Sequence, residues 1–149
     1  MNQKDMKILS HLREDARMSL TKMSRNTHIP VSTIFDRIKS YEKNVIIRHA
    51  TLLNFQKLGY NARVNISLKV NREERDKIKD YLVNSQFVNT LYKINNGFDF
   101  MIEGIFRNLL EMEDFIENLE NKFQIVEHKS HFIIDDIKRE GFLSNTLIV

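Results

Sequence analysis

The 149-residue sequence predicts a mixed α+β fold, with helices in the first third and a sheet covered by helices in the remainder. Three observations support this prediction. Apolar residues recur at helical spacing as far as Lys43, they alternate with polar residues from Arg63 to Val70, and an Asn-Gly pair at Asn96 separates two later apolar runs. The chain is therefore expected to form a helical unit followed by an α/β unit.

Three helices are predicted in the helical unit. Residues 4–14 carry an apolar stripe, Ser19 is a suitable N-cap for a second short helix, and a third helix spans residues 31–43. Two short helices joined by a tight turn, the second with a polar outer face, form a helix-turn-helix. Pro30, the only proline of the chain, ends the second helix and presets φ for the third.

The remainder of the chain predicts strands and helices in a regular order. The β-branched run from Val45 to Phe55 predicts a short strand after the helices. Beyond Gly59 the order is β-α-β-β-α-β, a ferredoxin-like sandwich whose two helices cover one face of an antiparallel sheet. Its strands are predicted at residues 63–70, 87–94, 98–106 and 125–134. We therefore predict two domains, 1–59 and 60–149.

Charge is distributed unevenly between these domains. Residues 1–60 contain eleven Lys or Arg and five Asp or Glu, whereas the rest of the chain is slightly acidic. A basic module beside an acidic one is typical of a polyanion-binding domain attached to a second unit, although an excess of this size also arises by chance. Long apolar runs, signal-peptide features and cysteines are absent. We therefore expect a cytoplasmic protein without disulfides or thiolate metal sites.

The exposed face of the third predicted helix is the main candidate for a functional surface. A recognition helix presents short polar side chains to base edges and basic side chains to phosphates. Phe35 could contact a thymine methyl group, Arg37 could instead pair with a carboxylate of the fold, and Asp36 would repel a phosphate. A solvated helix face is the alternative. The candidate DNA-binding residues are Ser32, Thr33, Phe35, Asp36, Arg37, Lys39, Ser40 and Lys43.

The turn at Asn96, Gly97 and Asp99 is a candidate effector site. Its backbone N–H groups suit a carboxylate and Asp99 suits an ammonium group, so a free amino acid is a sensible ligand. A plain hairpin turn capped by Asp99, or a surface for assembly, are the alternatives. No phosphate loop, nucleophile motif or repeated carboxylate–histidine spacing is present, so neither an enzyme nor a bound cofactor or metal is expected.

Several stretches resemble the Lrp/AsnC family of bacterial and archaeal transcription regulators, over nearly the whole chain. K-D-M-K-I-L from Lys4 is similar to the family's opening helix, and E-D-A-R-M-S from Glu14 to its link into the second helix. S-T-I-F-D-R-I-K-S-Y-E from Ser32 resembles its recognition helix. K-L-G-Y from Lys57 and N-N-G-F-D-F from Asn95 lie where the family has its domain junction and its effector-domain turn.

The resemblance implies a sequence-specific transcriptional regulator whose N-terminal winged helix-turn-helix binds pseudo-palindromic promoter DNA, as a dimer or a higher oligomer such as an octamer. It also implies a RAM-type domain that binds an amino acid or another small effector. Pro30 stands where the family usually has a serine N-cap, and Asn96 and Gly97 replace its turn glycine and acidic residue. The alternatives are a metabolite-sensing module whose helical unit contacts protein, and an architectural DNA binder with little sequence preference. The apolar residues 141–149 are expected to pack on a neighbouring subunit.

Overall fold

The computed structural model describes residues 1–144, and the chain forms two compact units. The first unit contains Met1–Leu52 and the described residues from Ile137 onward, and the second contains Leu53–Asp136. The helices are α1 (Gln3–Glu14), α2 (Leu20–Thr27), α3 (Val31–Asn44), α4 (Arg75–Val83) and α5 (Leu109–Lys122). The strands are β1 (Ala62–Val70), β2 (Val88–Lys93), β3 (Phe100–Phe106) and β4 (Ile125–Phe132).

Helices α1, α2 and α3 pack around one apolar core. Ile8, Met23 and Ile34 contribute one fully buried side chain from each helix. The Ser19 hydroxyl accepts a hydrogen bond from the Lys22 N–H at 3.2 Å, which satisfies one of the free donors at the start of α2. The predicted helix-turn-helix is therefore confirmed, with α1 and α3 within one residue of their predicted bounds and Ser19 as the N-cap of α2.

The strand predicted from Val45 to Phe55 is wrong. Residues 46–54 contain neither helix nor strand, and a short 3₁₀ turn at Gln56–Leu58 precedes Gly59. β-branched residues favour extended backbone, but a strand also needs a neighbouring strand to share its hydrogen bonds. Among residues 1–144 the strands are β1 to β4, and they pair with one another in a single sheet, so residues 46–54 have no partner strand there. The first unit, as far as the structure describes it, is therefore a helix-turn-helix without a wing strand.

The second unit is an antiparallel sheet with the strand order β2-β3-β1-β4. The inward side chains of the central strand β1, such as Val64, Ile66 and Leu68, are buried in one core with apolar residues of α4 and α5. The sequence alternation that predicted β1 therefore also identified its buried face. The predicted β-α-β-β-α-β sandwich is confirmed.

Gly104 of β3 lies beside a cluster of phenylalanine rings. The fully buried Phe106 ring has its centroid 5.5 Å from that of Phe87 and 5.4 Å from that of Phe115. A Cβ atom at Gly104 would lie 2.5 Å from the Phe106 ring edge.

We expect Gly104→Ala to lower the free energy of unfolding of the second unit by about 2 kcal/mol, because the packed rings have little room to move. Urea denaturation checks this, and an unchanged midpoint would show that the rings can shift.

The described part of the C-terminal segment packs within the first unit. Leu143 contacts the apolar core of the three helices. The Arg13 guanidinium of α1 donates hydrogen bonds to the backbone carbonyl of Phe142 at 3.1 Å and to that of Glu140 at 2.8 Å. Residues 145–149 lie outside the described residues, so the predicted contact of the tail with a neighbouring subunit stays a prediction.

Candidate nucleic-acid interface

A three-residue turn sets the start of α3. His28 ends α2 in the left-handed conformation, with φ of 58°, and Ile29 is buried beneath the turn. The Thr27 hydroxyl donates to the Met23 carbonyl at 2.8 Å and accepts from the Ile29 N–H at 3.3 Å. Pro30 is the N-cap residue of α3 and makes no side-chain cap hydrogen bond. The turn is therefore fixed from the α2 side, and the first N–H groups of α3 have no side-chain acceptor.

The outer face of α3 is exposed over its whole length. Ile34 and Tyr41 anchor the opposite face in the core. Because positions three, four and seven residues apart share a helix face, the exposed predicted residues form one continuous stripe. The exposed members are Ser32, Phe35, Asp36, Lys39, Ser40 and Lys43, and Thr33 is half-buried beside them. The structure thus brings together seven of the eight predicted DNA-binding residues, and Arg37 differs from them.

Arg37 belongs to a cluster that joins α1 to α3. Its guanidinium donates a hydrogen bond to the Asp5 carboxylate, and the Tyr41 hydroxyl donates to the same oxygen. The second Asp5 oxygen accepts from the Asn2 N–H at 2.7 Å, which completes a capping box at the start of α1. Asp5 is only 6% exposed. The Asp5 cluster, defined as Asn2, Asp5, Arg37 and Tyr41, therefore holds α3 against the N-terminus of α1.

Two pKa values reflect the Asp5 cluster. Hydrogen bonds from the Tyr41 hydroxyl and the Asn2 N–H, together with the charge of Arg37, lower the Asp5 pKa from 3.8 to about 2. Burial, together with the hydrogen bond to Asp5, raises the pKa of Tyr41 from 10.0 to about 12. Near neutral pH the cluster therefore contains an ionised carboxylate and a neutral phenol, which is the pair of states that its hydrogen bonds require.

The lowered Asp5 pKa predicts an acid-sensitive first unit. Because the folded carboxyl has the lower pKa, its contribution to stability is complete above about pH 4 and is lost as the pH falls towards about 2. We expect the urea midpoint of the first unit to fall through this window. The Asp5→Asn variant has no such carboxyl and should lose less stability over the same interval. An equal loss in both proteins would contradict this assignment.

Helix α2 adds basic residues that the sequence reasoning did not select. Lys22 and Arg25 lie on its exposed side. In a helix-turn-helix the helix before the recognition helix crosses the DNA backbone, so cations on it are suited to phosphates. Two basic residues three positions apart lie on the same face of a helix, and this spacing could have identified Lys22 and Arg25 from the sequence.

The predicted effector residues share one turn of the second unit. Asn96 and Gly97 have φ of 63° and 87°, as an Asn-Gly turn requires. The two Asp99 carboxylate oxygens lie 2.6 Å from Arg75 Nη2 and 2.9 Å from the Val70 N–H. Asp99 therefore caps the end of β1 and pairs with α4. Sequence reasoning missed Arg75, whose Nε is buried without a hydrogen-bond acceptor.

A separate open cleft of about 700 Å³ lies beside α4 and α5 in the second unit. Its lining includes the aromatic rings of Tyr81, Phe87 and Phe115 and the carboxylates of Asp80 and Asp114. None of the three predicted effector residues lines it. The cleft and the Asn96 turn are therefore distinct features of this unit.

Residues 1–144 contain neither a metal-binding cluster nor a membrane-spanning helix. This part of the chain holds no group of three histidine or acidic side chains arranged to bind a metal ion. It also has no helix whose length and apolar character would let it cross a bilayer.

Comparison with known proteins shows similarity along both units. Residues 1–48 match the family described as winged helix-turn-helix DNA-binding, and residues 61–143 match the Lrp/AsnC ligand binding domain. An uncharacterised HTH-type transcriptional regulator from Pyrococcus furiosus is 27% identical over 137 residues, covering 91% of this chain and 93% of that protein. The HTH-type transcriptional regulator LrpC from Bacillus subtilis is 24% identical over 142 residues, covering 95% of this chain and 99% of that protein.

The fold is also similar to that of solved structures. A transcriptional regulator from Neisseria meningitidis in complex with L-Met matches with a TM-score of 0.86 at 17% sequence identity, over 93% of each chain. At this level of identity the likeness concerns the fold. It extends over both units of the chain.

Proposed function

We propose, since this chain belongs to the Lrp/AsnC family of helix-turn-helix transcriptional regulators, that the outer face of α3 enters the major groove of promoter DNA. One observation carries this proposal. The face is exposed and presents polar and basic side chains, while Ile34, Tyr41 and the Asp5 cluster fix the opposite face. A rigid helix with a free polar face fits the major groove, which admits one α-helix.

The two halves of the α3 face have different proposed roles. Ser32, Thr33 and Asp36 lie in the first half of α3, the part that reaches base edges, and their short side chains can accept or donate hydrogen bonds there. Asp36 suits the exocyclic amino group of cytosine, because a carboxylate only accepts. Lys39 and Lys43 follow towards the end of the helix and suit phosphates.

Arg37 is assigned a different role from the other cations. Its guanidinium is committed to Asp5, so we propose that it positions α3 and does not neutralise a phosphate. Lys22 and Arg25 of α2 take its place among the proposed phosphate contacts.

The proposed DNA site is pseudo-palindromic. Members of this family form oligomers, and a twofold dimer would place two α3 helices about 34 Å apart, one turn of B-DNA. Each half-site would then present the same bases to Ser32, Thr33 and Asp36. Assembly beyond the dimer, up to an octamer, is the further expectation.

An amino acid is the proposed effector of the second unit. The solved regulator with bound L-Met supports this class of ligand. The proposed site is the turn at Asn96, Gly97 and Asp99, beside the Arg75 guanidinium, whose Nη2 pairs with Asp99. A thermal-shift screen of the twenty amino acids tests it. If one amino acid stabilises the protein and stabilises Asn96→Ala equally, this turn is not the effector site.

The DNA-binding proposal is tested by letting the protein select the duplexes that it binds from a random-sequence library. The DNA upstream of the protein's own gene is tested for binding in parallel. We expect enrichment of one pseudo-palindromic sequence and fluorescence anisotropy that discriminates it from random DNA by about a thousandfold or more. Binding without discrimination would favour an architectural DNA binder. Stabilisation by an amino acid with no detectable DNA binding would favour a metabolite-sensing module.

A further inference from the structure

Two apolar side chains interrupt the polar face of α3. Val31 is 41% exposed and Phe35 is 49% exposed, although both are large hydrophobic residues. They lie four positions apart, so their side chains share one helix face and form a single apolar patch. Neither belongs to the core cluster of the first unit, which takes Ile34 from the same helix. The patch is therefore accessible to a partner outside this unit.

The surroundings of the patch point to nucleic acid as that partner. The Lys39 ammonium lies 5.7 Å from the centroid of the Phe35 ring. A cation beside the exposed ring favours a polyanion with an apolar group over a purely apolar protein surface. Val31 and Phe35 also occupy the first turn and a half of α3, which is the part of a recognition helix that contacts base edges.

The major groove offers one apolar group. The 5-methyl of thymine projects there, whereas the other base edges present hydrogen-bond donors and acceptors. We propose that Val31 and Phe35 form a methyl-reading patch, which makes thymine the recognised base at one or two positions of each half-site. This inference rests on the proposed DNA-binding function, and it adds a base identity that the polar residues of α3 do not supply.

The test uses the duplex enriched by selection and replaces each thymine in turn by uracil, which lacks only the 5-methyl group. For the wild-type protein we expect about a fourfold loss of affinity for each recognised methyl removed, as burial of one methyl group implies. In Phe35→Ala the preference for thymine at those positions should fall, and in Val31→Ala/Phe35→Ala the thymine and uracil duplexes should bind equally there. Both affinities are measured by fluorescence anisotropy at one salt concentration.

Leu110→Ala is the matched control. Leu110 is an exposed leucine on α5, 69% accessible and outside the proposed interface, so its removal should leave the thymine preference intact. Because Phe35 is also exposed, Phe35→Ala should keep the wild-type thermal midpoint. Circular dichroism verifies this before affinities are compared, and Phe35→Leu, which keeps an apolar side chain, should retain part of the preference.

Three outcomes would overturn the inference. If the wild type binds every uracil duplex as tightly as the thymine duplex, thymine methyls are not recognised, although the DNA-binding function stands. If Val31→Ala/Phe35→Ala keeps the full preference, residues outside the patch read the methyl. If no sequence is enriched and Phe35→Ala instead abolishes self-association, both the inference and the proposed function fail, and the patch is a protein contact.

Discussion

Asp5→Ala is expected to lower the free energy of unfolding of the first unit by about 3 kcal/mol, through loss of the α1 capping box and of the acceptor for Arg37 and Tyr41. The buried Tyr41 hydroxyl would lose its acceptor, which is the most costly of these changes. Hydrogen exchange of peptides from residues 31–44 should rise strongly, because the cluster holds α3 against α1. Urea denaturation followed by circular dichroism measures the overall loss.

Glu14→Ala is the matched control for this prediction. Glu14 is an exposed carboxylate at the end of the same helix, so its removal should change stability by less than about 0.5 kcal/mol. If Asp5→Ala and Glu14→Ala unfold at the same urea concentration, the Asp5 cluster does not stabilise the unit. Arg37 would then be available to DNA.

Lys39→Ala is expected to weaken DNA binding near 0.1 M salt. We expect a loss of about tenfold in affinity for each lysine–phosphate contact that the substitution removes. The slope of log affinity against log salt concentration should fall by about 0.9 for each such phosphate, hence by about two for a dimer. Lys39 is suited to this role because its side chain is 61% exposed and its ion pair with Glu42, at 3.6 Å, lies at the surface, where solvent screens it and a phosphate can replace Glu42. Anisotropy titrations at four salt concentrations measure both quantities.

Two further variants separate a phosphate contact from a positioning effect. Lys79→Ala removes an exposed lysine from α4 and should leave affinity and slope unchanged. Arg37→Met should weaken binding without changing the slope, because Arg37 acts through Asp5. A slope reduced by Arg37→Met and unaffected by Lys39→Ala would reverse the two roles.

The sequence predicted well the features that depend on local pattern. Helical spacing located α1 to α3, and the alternation around Ile66 located β1 together with its buried face. The Asn-Gly pair at Asn96 located the hairpin turn. In each case the backbone preference of a few consecutive residues agrees with the tertiary fold.

Features that depend on distant residues were harder to predict. Arg37 and Asp5 lie thirty-two positions apart, so the spacing of Arg37 on α3 suggested a carboxylate contact only as an alternative to DNA and could not name Asp5. Asp99 and Arg75 are also distant in sequence, and they come together only because α4 packs on the sheet. The strand predicted after Val45 failed because β-propensity does not provide a neighbouring strand.

The most direct test of the proposed function maps α3 on DNA. The chain has no cysteine, so Ser32→Cys introduces one unique thiol at the start of the proposed interface, to which a DNA-cleaving iron chelate can be attached. We predict cleavage at two centres about one helical turn apart in the enriched sequence, and none from the same reagent on Asn118→Cys of α5. Cleavage from Asn118→Cys but not from Ser32→Cys, with DNA binding intact, would contradict the assignment of α3 as the DNA-reading helix.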